Sequence, residues 1–407
     1  MKYQHPLFLG TLFFTIQLSL ILFFCPEKTV FDAWISLASH WDSEWYEAIA
    51  QYGYINIDGP IHTGLRNANV VFFPGYPYLA RILILLLEIQ PKIALLIISQ
   101  TAALLFWCLF FYILSSTSCR DRLLAGMLVL LFPTSWFLFM GYSESVFIFT
   151  CCLMLWSATK KKWVLSGLSG FLMTATRLIG IPVLAAPIFT SIFFQKNIKS
   201  YLRPSLVALF SSLGCLGFLI YCAIAFGSWH LYFDMERIGW HGTADPFFLF
   251  KLPTWLPPPW GYSADFAPPL PNQHAQWFIF KFYRLAAYTF SETLVPLFLW
   301  IFIAYSLWIL KKRKEMEEIS LTWFIGALLL FLFSCFSLST RYYESMSRCL
   351  FPVWILLIIS EMIHPQKLGL LRGNKVILTI LLLLYLIISG GFWLQLLDRY
   401  CLNWWVA

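Results

Sequence analysis

Residues 76–89 read YPYLARILILLLEI, and whether they cross a membrane decides the orientation of everything downstream. Fourteen helical residues rise about 21 Å, short of a hydrocarbon core about 30 Å thick. Arg81 stands inside the run. The segment therefore reads as a re-entrant or interfacial helix rather than a span. Just before it, Phe72-Phe73-Pro74-Gly75-Tyr76-Pro77 brackets a glycine with two prolines. That pattern bars a continuous helix and sets a bend, which folds the preceding loop back onto the membrane surface.

Composition supplies the membrane. The 407-residue chain is 60% hydrophobic and only 12% charged, with mean hydropathy +0.73, whereas a soluble domain carries about 25% charge. Apolar runs recur near residues 7–25, 92–116, 123–139, 142–159, 163–176, 178–194, 204–226, 288–310, 320–338, 349–363 and 375–396. In lipid each must be helical, because its backbone groups have no other partners. The chain thus reads as an all-α integral membrane protein, a single polytopic domain over 1–407 with about eleven transmembrane helices. Residues 26–91 form a large first non-cytoplasmic loop and 227–287 a second. The run ending Phe23-Phe24-Cys25 is too long for a signal peptide and lacks a small-residue cleavage site, so it reads as an uncleaved first helix.

The net charge of +8 calls for no nucleic acid. With the N-terminus inside and 76–89 not crossing, Lys160-Lys161-Lys162 and Lys311-Lys312-Arg313-Lys314 fall on the cytoplasmic side, as basic clusters should. A crossing at 76–89 would turn both outward. The ten cysteines show no Cys-x-x-Cys pair and no spacing with histidine that suits a metal, and most sit in apolar runs as small hydrophobes. No redox role is visible in them.

In this layout the unusual polar segments share the non-cytoplasmic face: HWDSEWY (40–46), GYSES (141–145), the turn at Arg177, the Trp/Pro-rich stretch 227–275, and TRYYESMSR (340–348). Asp42 stands near the start of a short helix without breakers until Gly53, where a partly desolvated carboxylate suits a general base. Helical spacing puts Glu44 and Glu47 on one face and Asp42 on another. Trp41, Trp45 and Ala48 make a stripe suited to the membrane interface. An ordinary interfacial helix with solvated acids explains the same residues. Glu144 stands at a membrane edge, where ionisable groups are costly and usually functional, or it complements a helix dipole. Arg177 is the one charge between Trp163 and Gln195, either snorkelling or binding an anion. Arg341 and Arg348 breach the topology rule, which points to an anionic ligand, with a surface pair to Glu344 as the alternative. His230, Asp234 and Glu236 stay unassigned.

Taken in order, HWDSEWYEAIAQYGY, NVVFFPGYP, FPTSWFLFMGYSES, ATRLIG, TRYYESMSRCLFP and the terminal WWVA resemble the PIG-V-like glycosyltransferases. These are the GPI mannosyltransferase 2 family and its prokaryotic relatives, within the GT-C superfamily. The likeness spans nearly the whole chain, is weakest over 227–275, and is more similar to the prokaryotic branch. It implies a GT-C-type helical bundle that moves a sugar, mannose in the eukaryotic members, from a polyprenyl- or dolichyl-phosphate donor to a lipid or glycan acceptor with inversion. It also implies Asp42 as catalytic base. We place Arg341, Arg348 and Arg177, in that order, at the donor phosphate, and His40, Trp41, Glu44, Tyr142, Glu144 and Tyr342 at the substrates. No metal, cofactor or nucleotide is expected, since the sugar arrives activated on lipid. The implied setting is a bacterial inner membrane, or the ER membrane in a eukaryote. A polytopic transporter or lipid flippase is the rival reading. It would hold its charges at mid-membrane and show internal repeats, and none is apparent.

Overall fold

A computed structural model describes residues 5–25, 27–54, 68–194, 198–239, 317–337, 346–363 and 375–401, with two isolated positions at 301 and 304. The helices are α1 (Pro6–Phe24), α2 (Val30–Ser36), α3 (Asp42–Tyr52), α4 (Gly75–Leu87), α5 (Pro91–Ile113), α6 (Cys119–Leu130), α7 (Glu144–Thr159), α8 (Trp163–Thr176), α9 (Ala186–Phe194), α10 (Ile198–Phe226), α11 (Leu231–Gly239), α12 (Glu318–Ser337), α13 (Met346–Ile363) and α14 (Lys375–Cys401). Among the described residues there is no strand. Among the described residues three segments are long and apolar enough to cross a membrane: Pro6–Phe24, Pro91–Ser116 and Ser200–Phe226. The run at 288–310 and the basic cluster at 311–314 lie outside the described residues.

The helix starts follow local chemistry. Pro6 and Pro91 open α1 and α5 at the first turn, where a missing N–H costs nothing. Thr29 and Ser118 cap α2 and α6 through their hydroxyls. Gly53 ends α3 at φ 77°, a conformation that glycine adopts without penalty.

α4 covers 75–87, the short helix expected there. The glycine in the FFPGYP bend has a second use. A Cβ on Gly75 would stand 2.6 Å from Thr176 Oγ1 and 2.8 Å from the Ala175 carbonyl oxygen. Only glycine lets the start of α4 seat against the end of α8, next to Arg177.

Three expectations need correction. The run 123–139 is not one span. α6 stops at Leu130, and Ser135–Phe139 is a 3-10 turn. Pro133 cannot continue the helix. Ser135 instead bonds back to the Leu130 carbonyl and accepts from Gln17 Nε2 at 3.0 Å and Trp393 Nε1 at 2.9 Å. The run 178–194 opens as 3-10 turns, Leu178–Gly180 and Pro182–Ala185, before α9. Trp45 is not interfacial: it is 1% exposed and stacks on Phe72, ring centroids 5.6 Å apart. The folded-back loop gives the tryptophan a protein seat, and burying a side chain of that size is worth roughly 3 kcal/mol.

The core has two parts. A central cluster joins α1, α5, α7, α12, α13 and α14. A second seals the first loop onto α4, α5 and α10 through Trp45, Tyr54, Phe72, Phe73, Tyr76 and Phe218.

Candidate active site

The site is assembled where the first loop meets the start of α7. The Gly141 N–H donates to the Leu37 carbonyl at 2.9 Å, and a Cβ on Gly141 would stand 2.7 Å from that of Ala38. Tyr142 Oη and Ser43 Oγ both donate to the His40 carbonyl, at 3.2 and 2.5 Å. Tyr46 Oη donates to Ser143 Oγ at 2.8 Å. Clamped this way, Trp41 takes φ 55°, a left-handed value that costs a bulky residue energy and persists only under constraint. The next residue is Asp42, the first of α3.

Glu144, the first residue of α7, is 2% exposed. Its Oε1 accepts from Arg177 Nη1 and from Arg348 Nε. Arg348 also places Nη1 2.7 Å from Asp42 Oδ2. Its guanidinium lies over the rings of Tyr142 and Phe137, 4.6 and 4.9 Å from the centroids, where a ring face favours a desolvated cation. Arg177 is delivered by the end of α8, in extended backbone.

Asp42, Glu144, Arg177 and Arg348 therefore form one chain of ion pairs drawn from four segments, two charges of each sign. Ions of this kind persist out of water only when paired and hydrogen-bonded. Glu144 Oε2 is buried with no protein partner, an acceptor that is costly to leave unmade. The group lies at the N-terminal end of α7, opposite Lys160-Lys161-Lys162 at its other end.

The remaining sequence candidates divide. His40 lies edge-on to Tyr400 at 5.4 Å, its imidazole pushed down by burial and by the Lys92 charge. Glu44 and Glu47 do sit close enough to repel. Burial, offset by Lys92 and aided by Glu44, raises the Glu47 carboxyl. Glu47 lies 4.0 Å from Lys92, so this pair of acids belongs to a separate, half-buried cluster. Trp41 packs against the central core. Arg341, Tyr342 and Glu344 lie outside the described residues, as does most of 227–287.

One group that the sequence left unassigned gains partners here. His230, just before α11, pairs with Asp234 on the helix, and Arg237 pairs with the same Asp234, at the surface. Glu236 turns the other way, accepting from Tyr232 Oη at 3.3 Å, while Tyr232 packs edge-on to Phe73 at 5.1 Å. Burial pushes the Glu236 carboxyl up to about 7; Tyr232 and Arg177 oppose the rise and Asp42 adds to it. The i, i+4 spacing of Tyr232 and Glu236 was the available signal. Among the described residues no three His, Cys, Asp or Glu side chains gather to hold a metal ion.

No family model matches the chain, and no curated protein matches it. Among solved structures, the crystal structure of ArnT from Cupriavidus metallidurans bound to undecaprenyl phosphate is similar, with TM-score 0.51 and 12% identity. The match covers 97% of this chain and 77% of that one. At that identity the likeness is one of fold: the chain shares the helical architecture of that structure.

Proposed function

We propose that the chain is a glycosyltransferase that takes a sugar from a polyprenyl-phosphate carrier at the non-cytoplasmic membrane face. The observation that carries this reading is the buried ion-pair chain Asp42–Arg348–Glu144–Arg177, at one end of the helices rather than at their middle. That ArnT, with the same fold, is bound to undecaprenyl phosphate supports a lipid phosphate as the carrier. The finer assignment to a PIG-V-like mannosyltransferase, with mannose as the sugar, rests on the motifs quoted above. So does the prokaryotic, inner-membrane setting.

The chemistry follows from the charges. Asp42 is held by Arg348 in the resting site, its Oδ2 occupied by the guanidinium. A lipid phosphate competes for both guanidiniums, because arginine binds phosphate bidentately. Its arrival turns Arg348 away and frees Asp42. The acceptor hydroxyl then gives its proton to Asp42 as its oxygen bonds to the anomeric carbon. On the opposite face the bond from that carbon to the phosphate oxygen breaks, with the electron pair staying on the phosphate. Developing negative charge there is met by Arg348 and Arg177, preorganised cations in a dry site. Glu144 Oε2 accepts a sugar or acceptor hydroxyl. Donor before acceptor is the order this requires. No nucleotide or cofactor enters.

The test is transfer of radiolabel from polyprenyl-phosphate mannose to a membrane lipid extract by purified protein in liposomes, wild type beside Asp42→Asn. Label reaching a new product with wild type alone supports both the reaction and the base. Equal transfer by both removes Asp42 from the mechanism, and no transfer by wild type overturns the donor.

A further inference from the structure

Two cysteines stand apart from the rest. Cys25 closes α1, and Cys401 is the last residue of α14. The two helices pack together, and the two thiols, both free in this structure, are neighbours at the helix ends. Their surroundings hold them in place. Cys25 is buried, with Sγ 3.3 Å from Ser36 Oγ. Cys401 packs against the central core. Tyr400 beside it donates to the Leu37 carbonyl at 3.2 Å and sets its ring 5.2 Å from Trp136 and 6.1 Å from Tyr142. Other cysteines are placed differently: Cys151 and Cys152 are consecutive on α7, and Cys215 and Cys222 lie along α10.

Position along the membrane normal decides what such a pair does. The charge layout sends α1 outward from its start and α14 outward from Lys375, so both C-terminal ends emerge on the non-cytoplasmic side. The hydrogen bond from Tyr400 to Leu37 places these ends beside the loop that carries Asp42. Both compartments that this face meets, a bacterial periplasm or an ER lumen, are oxidising.

We propose that Cys25 and Cys401 are joined by a disulfide that staples the first described helix to the last at the non-cytoplasmic face. The oxidant is a protein disulfide of that compartment. One of the two thiolates attacks it, forming a mixed disulfide, and the second displaces the oxidant's remaining sulfur. The pair loses two protons and two electrons, and the oxidant's disulfide becomes two thiols. Reaching a bond length of about 2.05 Å asks for a further approach of two neighbouring thiols at the ends of packed helices. The bond fixes Tyr400 against Tyr142, the ring on which the Arg348 guanidinium rests, so the staple anchors one wall of the charge cluster.

The test uses the full chain expressed in a host with an oxidising outer compartment. Free thiols are blocked with N-ethylmaleimide during lysis in denaturing detergent, so that the buried cysteines react too. The protein is then denatured, reduced and treated with a polyethylene-glycol maleimide that adds visible mass per thiol. Two additions per chain are expected after reduction and none without it, and Cys25→Ser or Cys401→Ser each removes both. No addition to wild type overturns the proposal, as do two additions persisting in the Cys25→Ser chain. Mass spectrometry of unreduced wild type should find the two cysteine peptides joined, a readout independent of whether the variants fold.

Discussion

Replacing Glu144 by glutamine keeps the shape of the hub and removes its charge. Arg348, 9% exposed at its side chain, then has only Asp42, and Arg177, 22% exposed, loses its ion-pair partner. Breaking a buried pair from one side costs about 3–5 kcal/mol. A chain of 407 residues has an unfolding entropy near 0.85 kcal/mol/K on the per-residue average, so the midpoint should fall by about 4–6 °C. Arg348→Met should cost a similar amount by stranding Asp42. The double variant leaves one charge of each sign, so its loss should stop short of the sum by about 1–3 °C, the coupling expected of contacting charges. Tryptophan fluorescence on heating in detergent, at one scan rate because unfolding is irreversible in many such proteins, reads all four chains. A Glu144→Gln midpoint within about 1 °C of wild type, or a double variant equal to the sum, would refute the ion-pair chain.

Sugar transfer should fall about 10²- to 10⁴-fold in Asp42→Asn, the range for losing a general base, while Glu44→Gln, in the separate cluster with Glu47 and Lys92, should stay within a few-fold; initial rates in liposomes compare them. Gly75→Ala should push α4 off the end of α8, costing about 1–3 kcal/mol, and the same melt should register it. Glu236 gives a pH signature. Its native carboxyl holds a proton to about 7 against an ordinary 4.5, so the native state binds more protons than the unfolded one in that window. Its contribution is fully present below 4.5 and is lost as pH rises through about 7; Glu236→Gln should flatten that part of the midpoint-versus-pH curve, and an unchanged slope would count against its burial.

Much of the helical framework was legible because lipid forces a simple code: a long apolar run must be a helix. Gly53 and Arg177 ended their helices where breakers and charge said they would. Arg348 was conspicuous as a cation on the wrong side. What the code omits is partnership. Hydropathy records that Trp45 is apolar, and cannot say whether it meets lipid headgroups or Phe72. It likewise joined residues 123–139 across Pro133, because Thr134 and Ser135 look like minor polar interruptions until Gln17 and Trp393 arrive from α1 and α14. The convergence of Arg177 and Arg348 on Glu144 is separated by 33 and 204 positions, beyond any local pattern. Glu236 was hidden for a related reason, since His230, Asp234 and Arg237 around it make α11 look uniformly solvated.

The short α4 has a consequence for the surrounding membrane. Its 13 residues reach about 20 Å, roughly 10 Å less than the hydrocarbon they stand beside, and Ile82, Leu85, Leu86 and Leu87 are exposed along it. A helix of this length that enters the membrane without crossing it leaves the lipid beyond its end to close over, a local dent in the bilayer. The dent would begin beside Arg177, where Gly75 seats α4 against α8. A long isoprenoid chain lying in it would bring its head to the charges sideways, without leaving the lipid phase. Under the proposed reaction, bilayer thickness, set by acyl length, would then act on substrate entry without any residue of the charge cluster encoding it.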